Sequence, residues 1–288
     1  MSKTYSNATN LRRALEERLN ALAKKEGADI QTLRRHVAFD RLLARLFPKA
    51  TQAPWALKGG YSMELRVESA RTTKDIDLAV RDAKLFGSEG GERNGAIREE
   101  LQKYAAADLG DFFVFSIGAP IMDLDTAPYG GGRFPIEAKM DQRLFIGFHL
   151  DVGLGDVWIE PLERMATRDW LAFAGITGPA ILAISKEQQF AEKLHAYTLP
   201  RADRLNSRVK DLVDMTLLVR GESMDTKKLR AAINATFERR STHEIPTQLP
   251  PPPATWVKTF PALAAECELD EDLDGAFTLV RAALDEFL

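Results

Sequence analysis

The spacing of apolar residues changes twice along this chain, and those two changes bound what it can fold into. From Asn7 to Lys25, Leu11, Leu15, Leu19 and Leu22 recur every three or four residues, as one buried helix face requires. Gly27 interrupts the pattern; Leu33, Val37, Leu42, Leu43 and Leu46 resume it as far as Pro48. Between about Trp55 and Leu162 the apolar runs shorten and become β-rich, over 55–57, 75–80, 112–117, 134–138, 144–152 and 157–160. Helical stretches at 61–67 and 93–108 separate the early runs. A sheet flanked by helices buries such a mixture. After about Thr167 the pattern is mainly helical, over 186–198, 207–219, 226–239 and 273–287. Leu249 and the prolines Pro250 to Pro253 read as a stiff spacer within that half. The expected fold is α/β (α+β), with an N-terminal helical segment 1–50, a mixed-sheet core flanked by helices over 51–165, and a mainly helical C-terminal domain 166–288.

Charge and cysteine usage narrow the function classes. The formal net charge is −3, which excludes nucleic-acid binding through a global basic field and leaves only local patches. The single cysteine, Cys267, excludes an internal disulfide framework and a multi-cysteine zinc site. No apolar run reaches the ~18–20 residues a membrane span needs. Residues 1–6 lack the apolar core of a signal peptide, so a cytoplasmic location is expected, with no membrane partner. The two N-terminal helices carry Arg and Lys opposite their apolar faces. They fit a DNA-reading helix-turn-helix, but a helix pair packed on the next domain is the expectation, because such charges are usually a solvated face.

The chemistry-bearing stretch begins at Lys58-Gly59-Gly60-Tyr61-Ser62. Two glycines after a strand and before a helix let the backbone approach a ligand closely, and a helix N-terminus beside them offers N–H groups to an anion. Ser62 can add a hydroxyl. Taken alone, the pair is an ordinary strand-to-helix turn. Asp75-Ile76-Asp77 adds weight. Residues two apart on a strand share a face, so both carboxylates point one way while Ile76 enters a core. Their mutual repulsion disfavours ionisation, and a divalent cation relieves it; Mg²⁺ favours a few carboxylates plus substrate phosphates. Asp151, inside the apolar run Phe148-His-Leu-Asp-Val152, is costly to bury unless paired or metal-bound, and as a third acid completes a two-metal site for in-line phosphoryl transfer. Asp123 and Asp125 form a rival pair, read as a turn because Pro128 and the Gly130–Gly132 run follow. That glycine triplet lacks the spacing of a phosphate loop and reads as a hairpin connection.

The helical half offers further groups. Lys186, Gln189 and Lys193 share a helix face, and a lysine facing the carboxylates can hold β- and γ-phosphates. Arg208, Asp211 and Asp214 form a polar stripe, opposite the apolar Leu212, Met215, Leu218 and Val219. That stripe is expected to look outward or toward a cleft. Arg201, Arg204, Arg208, Lys210, Lys227, Lys228, Arg230, Arg239 and Arg240 make this half locally basic.

From Lys58 to Asp214 the order is Lys-Gly-Gly, then Arg-x-Thr-x-Asp-Ile-Asp-Leu, an acid in a strand, Glu-Lys-Leu-His-Ala, and Arg-x-Lys-Asp-x-x-Asp. This order resembles the AbiEii toxin-type nucleotidyltransferases, a branch of the DNA polymerase beta-like superfamily that includes the mycobacterial MenT toxins. The resemblance implies that Gly59 and Gly60 cradle a triphosphate, with Lys58, Ser62, Arg71 and Arg208 around the nucleotide. It implies that Asp75, Asp77 and Asp151 hold Mg²⁺, or Mn²⁺ in its place, that Lys193 contacts phosphate, and that Asp211 completes the last acidic motif. It further implies an NTP donor, an RNA acceptor such as a tRNA 3′ end, and a cognate antitoxin. Where many relatives carry a small hydroxyl residue after the second glycine, this chain has Tyr61. Loss of transfer with an intact fold is the expectation for Asp77→Ala and Lys193→Ala. The competing classes are a non-catalytic nucleic-acid-binding module built on the N-terminal helices and an NTP sensor without transfer.

Overall fold

The computed structural model describes residues 5–49, 53–87, 91–124, 127–201, 205–221 and 223–285. Asp125 and Arg204, named above, and the end of the last expected helix lie outside the described residues. In chain order the helices are α1 (Ala8–Glu26), α2 (Ile30–Leu46), α3 (Gly59–Arg66), α4 (Gly91–Ala105), α5 (Lys186–Thr198), α6 (Val209–Arg220), α7 (Thr226–Arg240), α8 (Phe260–Glu266) and α9 (Leu273–Asp285). The strands are β1 (Trp55–Lys58), β2 (Asp75–Val80), β3 (Phe113–Ile117), β4 (Met122–Asp123), β5 (Gly131–Met140), β6 (Arg143–Gly153), β7 (Glu163–Ala166) and β8 (Ala180–Ala183). The architecture is the mixed α/β sheet flanked by helices that the periodicity predicts. Contacts gather the chain into two units, each discontinuous in sequence.

The first unit takes Met1–Leu57, Thr72–Gly155 and Arg164–Ala183. Its sheet runs β3-β5-β6-β2-β1-β8-β7, with β4 alongside β5. Strand β2 is parallel to β6, and β1 to β8, while β5 is antiparallel to β3, β4 and β6. Asn7 and Asp29 cap α1 and α2 by accepting from Asn10 and Thr32 N–H, and Gly27 closes α1 in the left-handed region. Helix α2 packs on the sheet, with Phe39 edge-on to Phe148 at 4.8 Å. Gln31 is the one exposed residue of α2, and its Arg41 and Arg45 are buried on Asp111, with bonds of 2.6 to 2.9 Å. Covered this way, α2 has no free face for a DNA groove, while α1 buries Leu11, Leu15 and Leu19 and leaves Arg13, Arg18, Lys24 and Lys25 exposed.

Two strand expectations are corrected here. Residues 157–160 form no strand. The Val157 carbonyl accepts from the Gln188 side chain, and Pro161 has no N–H to extend a ladder. The Gly130–Gly132 run belongs only in part to a hairpin connection: Gly130, at φ 75°, ends the link between β4 and its antiparallel partner β5, while Gly131 and Gly132 open β5 and pair with Gly153 and Val152. A Cβ on Gly131 would stand 2.1 Å from the Val152 carbonyl oxygen, so glycine there permits close strand approach. A second, tighter hairpin lies at the other end of β5, where Asp141 and Gln142 both take positive φ, 55° and 56°, as a two-residue primed turn demands.

The second unit takes Lys58–Arg71, Asp156–Glu163 and Ile184–Leu288. Ser185 caps α5 by accepting from Gln188 N–H. Phe190 and Leu194 of α5, Leu212, Met215 and Leu218 of α6, Leu229 and Phe237 of α7, and Trp256, Phe260 and Val280 form its core. Helix α8, unmarked by any long period in the sequence, starts with Pro261 in its first turn, where the missing N–H costs nothing. Leu249 is buried in this core, and the Tyr197 hydroxyl donates to the Pro250 carbonyl at 2.8 Å, so the proline spacer is anchored at its start.

Candidate active site

The first unit presents an acidic sheet face. Strand β2 buries Ile76 and Leu78 and leaves Asp75 and Asp77 half-buried on the opposite face. Parallel pairing with β6 sets Asp75 opposite His149 and Asp77 opposite Asp151, so three carboxylates share one face of adjacent strands. His149 Nδ1 lies 3.2 Å from Asp75. Sequence reasoning did not pick out the nearest cation, Arg133 of β5. It sits across from Asp151 in antiparallel register and donates from Nε and Nη2 to the two Asp151 oxygens, both at 2.7 Å. Its Nη2 is also 3.4 Å from Asp75. The bond to Asp151 foremost, then the charges of Asp151, Asp75 and Asp77, hold the guanidinium firmly protonated. Part of the repulsion among the acids is thus relieved by an arginine.

The acid face still suits a divalent cation in donor type: hard carboxylate oxygens, as Mg²⁺ requires. Among the described residues no three His, Cys, Asp or Glu side chains already stand in a metal-holding arrangement. Both Asp151 oxygens already accept from Arg133, so a metal there would share them with the guanidinium.

The second unit carries the glycine turn and the helical motifs. Gly59 takes φ 67° at the start of α3, a conformation side chains resist; Gly60 needs no such freedom. Gly59's carbonyl accepts from Ser62 Oγ at 3.0 Å and from Gln189 Nε2 at 2.7 Å. Ser62 is fully buried and Tyr61 nearly so, so a phosphate contact from Ser62 requires it to give up its bond to Gly59. Lys58 is engaged by Asp156, which also accepts from Arg240 at 2.9 Å. Against the cost of burial, the charges of Asp156 and Glu192 hold Lys58 protonated, and Lys58 and Arg240 hold Asp156 below the usual carboxylate range.

Three sequence motifs converge on Asp214. This carboxylate is fully buried, takes Arg71 through both oxygens at 3.1 and 2.9 Å, and accepts from Lys193 Nζ. Burial alone would raise its pKa, but Lys193 and Arg71 outweigh that and hold it ionised. Asp211, 3.7 Å from Lys193, is the opposite case: burial wins and its pKa is raised. The expected outward stripe is corrected to a gradient, from exposed Arg208 through half-buried Asp211 to Asp214 in the core. A three-residue step drifts around a helix, and the drift carries Asp214 inward, where a buried acid needs its two cations. Lys186 stays half-exposed, while Gln189 and Lys193 are buried. Lys193 is therefore part of a buried ion cluster, and Lys193→Ala would disturb the core.

Arg133, Asp156 and Asp214 as a structural node escaped the sequence reading. For Asp214 and Arg71 a signal exists, since both lie in the quoted motifs. For Arg133 the only signal is a single charge in the otherwise uncharged run 131–136.

Comparison with known proteins agrees with this organisation. The family model described as nucleotidyl transferase AbiEii toxin, type IV toxin–antitoxin system, matches residues 41–285. Among solved structures, the chain is similar to MenT4, a nucleotidyltransferase toxin from Mycobacterium tuberculosis H37Rv, at 17% identity, TM-score 0.50, covering 90% of this chain and 94% of that one. It also matches a putative nucleotidyltransferase from H. pylori at 15% identity and TM-score 0.45, over 89% of this chain and 94% of that one. JHP933 from Helicobacter pylori matches at 14% identity and TM-score 0.45, over 89% and 91% of the two chains. No curated protein sequence matches. A family match over nearly the whole chain, joined to the shared fold, makes this protein a nucleotidyltransferase belonging to the AbiEii toxin family.

Proposed function

We propose that this enzyme transfers a nucleoside monophosphate from an NTP to the 3′ end of an RNA, a tRNA in particular, in a Mg²⁺-dependent reaction that Mn²⁺ can also support. We place it in the cytoplasm as the toxin of a toxin–antitoxin pair; the description of the matching family supports the antitoxin partner. No helix among the described residues is long and apolar enough to cross a membrane. The observation that carries the reading is the face on which Asp77 stands opposite Asp151 with Asp75 two residues away. That donor set matches what a phosphoryl-transfer metal needs.

In the proposed reaction an acceptor hydroxyl oxygen attacks the α-phosphorus. The bond from that phosphorus to the bridging oxygen breaks, and pyrophosphate leaves with the electron pair. Asp75, Asp77 and Asp151 would hold divalent ions, which would supply charge neutralisation to the phosphoryl transfer. The third acid, Asp151, takes the hydroxyl proton or lowers its pKa. The second unit's roles are phosphate-holding ones: backbone N–H groups at Gly59 and Gly60, with Lys58, Ser62, Arg71, Lys193 and Arg208 as the polar and cationic set, and Asp211 as the family's last acid. For the acceptor, Arg208, Lys210, Lys227, Lys228 and Arg230 offer exposed positive charge on α6 and α7, the kind of surface an RNA backbone needs. Arg201 and Arg240 are committed to internal partners.

The test incubates purified protein with total cellular RNA, Mg²⁺ and each α-labelled NTP. Wild type is expected to label an RNA, and Asp77→Ala to fall to background while its thermal unfolding stays near wild type. An Asp77→Ala protein with undiminished labelling would falsify the site; NTP binding without labelled RNA would turn the reading toward a nucleotide sensor.

A further inference from the structure

We propose that Arg133 is a resident counter-cation of the acid face, which occupies Asp151 until a divalent ion displaces it, so that metal affinity is set by competition with the chain's own guanidinium. This deepens the reading above and rests on it.

The strand geometry argues that the contact is built in. Gly131 lets β5 approach β6 more closely than any side chain would allow, and Gly132 sits where a Cβ would press within 3.2 Å of the Asn94 amide. Those glycines precede Arg133 directly and start the register that places it opposite Asp151. The glycine triplet, which no phosphate role absorbed, thus serves to position a cation. The fork then meets both Asp151 oxygens at 2.7 Å and spans toward Asp75 at 3.4 Å. A bidentate, charge-assisted pair of this kind is among the stronger polar contacts a protein makes. The same fork lies in the field of all three acids, and a divalent ion brought onto that face would stand beside a like charge, which is repulsive. The Arg133 side chain is 28% exposed and Asp151 12%, which leaves the long arginine chain room to swing toward solvent and release the carboxylate.

If instead Arg133 holds Asp151 permanently, metal binding rests on Asp75 and Asp77 alone and does not compete with arginine. Mn²⁺ binding to the full chain without nucleotide, read from the free-Mn²⁺ electron paramagnetic resonance signal, separates the two. Arg133→Gln is expected to bind Mn²⁺ about tenfold more tightly than wild type, and this gain should vanish when Asp151→Asn is present in both proteins. Arg133→Gln should also melt lower without Mn²⁺ and recover with it, because its acids lack their cation. Should that variant fail to fold, Arg133→Lys carries the comparison, since it keeps the charge but loses the fork; an intermediate gain is expected. Equal or weaker Mn²⁺ binding in these variants overturns the proposal while leaving the metal reading intact, as does a gain that persists without Asp151. Absence of Mn²⁺ binding in every protein, wild type included, overturns both.

Discussion

Asp111 shows how much one residue decides. It is fully buried, bound by Arg41 and Arg45 together, and accepts the Phe113 N–H. Burial opposes its charge, and the two arginines hold it well below the usual carboxylate range. Removing one partner of such a cluster leaves buried charge uncompensated. Asp111→Asn is therefore expected to lower unfolding free energy by about 3–5 kcal/mol, measured by urea titration. Arg13 and Glu17 of α1 make the contrast: their 3.5 Å pair is well exposed, and Arg13→Ala should change stability by less than about 1 kcal/mol. Equal effects from the two substitutions would refute this view of where the polar stabilisation lies. At this scale the sequence was only partly legible. Asp75 and Asp77 declare themselves by their spacing around Ile76. Asp111 does not, because its partners come from 66 and 70 residues away and no local pattern announces them.

Among the elements, α3 is the one whose start the sequence marks most sharply. Gly59 alone of the glycine pair needs the left-handed conformation, so Gly59→Ala should cost about 1–2 kcal/mol, seen as a lower urea midpoint with an unchanged slope. A substitution without cost would mean that α3 begins differently. The helices were read well because each buries one stripe at its own period, as α1 does with Leu11, Leu15 and Leu19. Short strands were not. Strands β4, β7 and β8 run for two to four residues, too few to show an alternation. The β5–β6 hairpin hid because its turn uses Asp141 and Gln142 in place of the glycine that usually marks a primed turn.

For the whole molecule, the buried ionic groups predict how stability responds to acid. His195 is held down to about 4, first by burial and then by Arg240 and His243 beside it. Because the unfolded chain takes up that proton near pH 6.5, the stability held by neutral His195 drains away between about pH 6.5 and 4. Asp111 in the first unit and Asp156 and Asp214 in the second are held below the ordinary carboxylate range. Their contribution is present above that range and is lost as pH falls through their folded values. The melting temperature should therefore be level near neutrality, decline below about pH 6.5, and fall steeply below about pH 4. His195→Phe should flatten the first decline, leaving only the smaller part owed to His243, whose burial also lowers its pKa. An unaltered slope between pH 6.5 and 4 in that variant would remove His195 as its source.

The sequence by itself determined the fold class and the family resemblance, since helix period, strand alternation and motif spacing are local and survive in one dimension. What only the tertiary structure decided is how the charges are partnered. Arg133 on Asp151, Arg71 and Lys193 on Asp214, and Lys58 and Arg240 on Asp156 join residues between 18 and 143 positions apart. Coulomb energy and desolvation depend on distance and burial in space, and neither is written in the order of the residues along the chain.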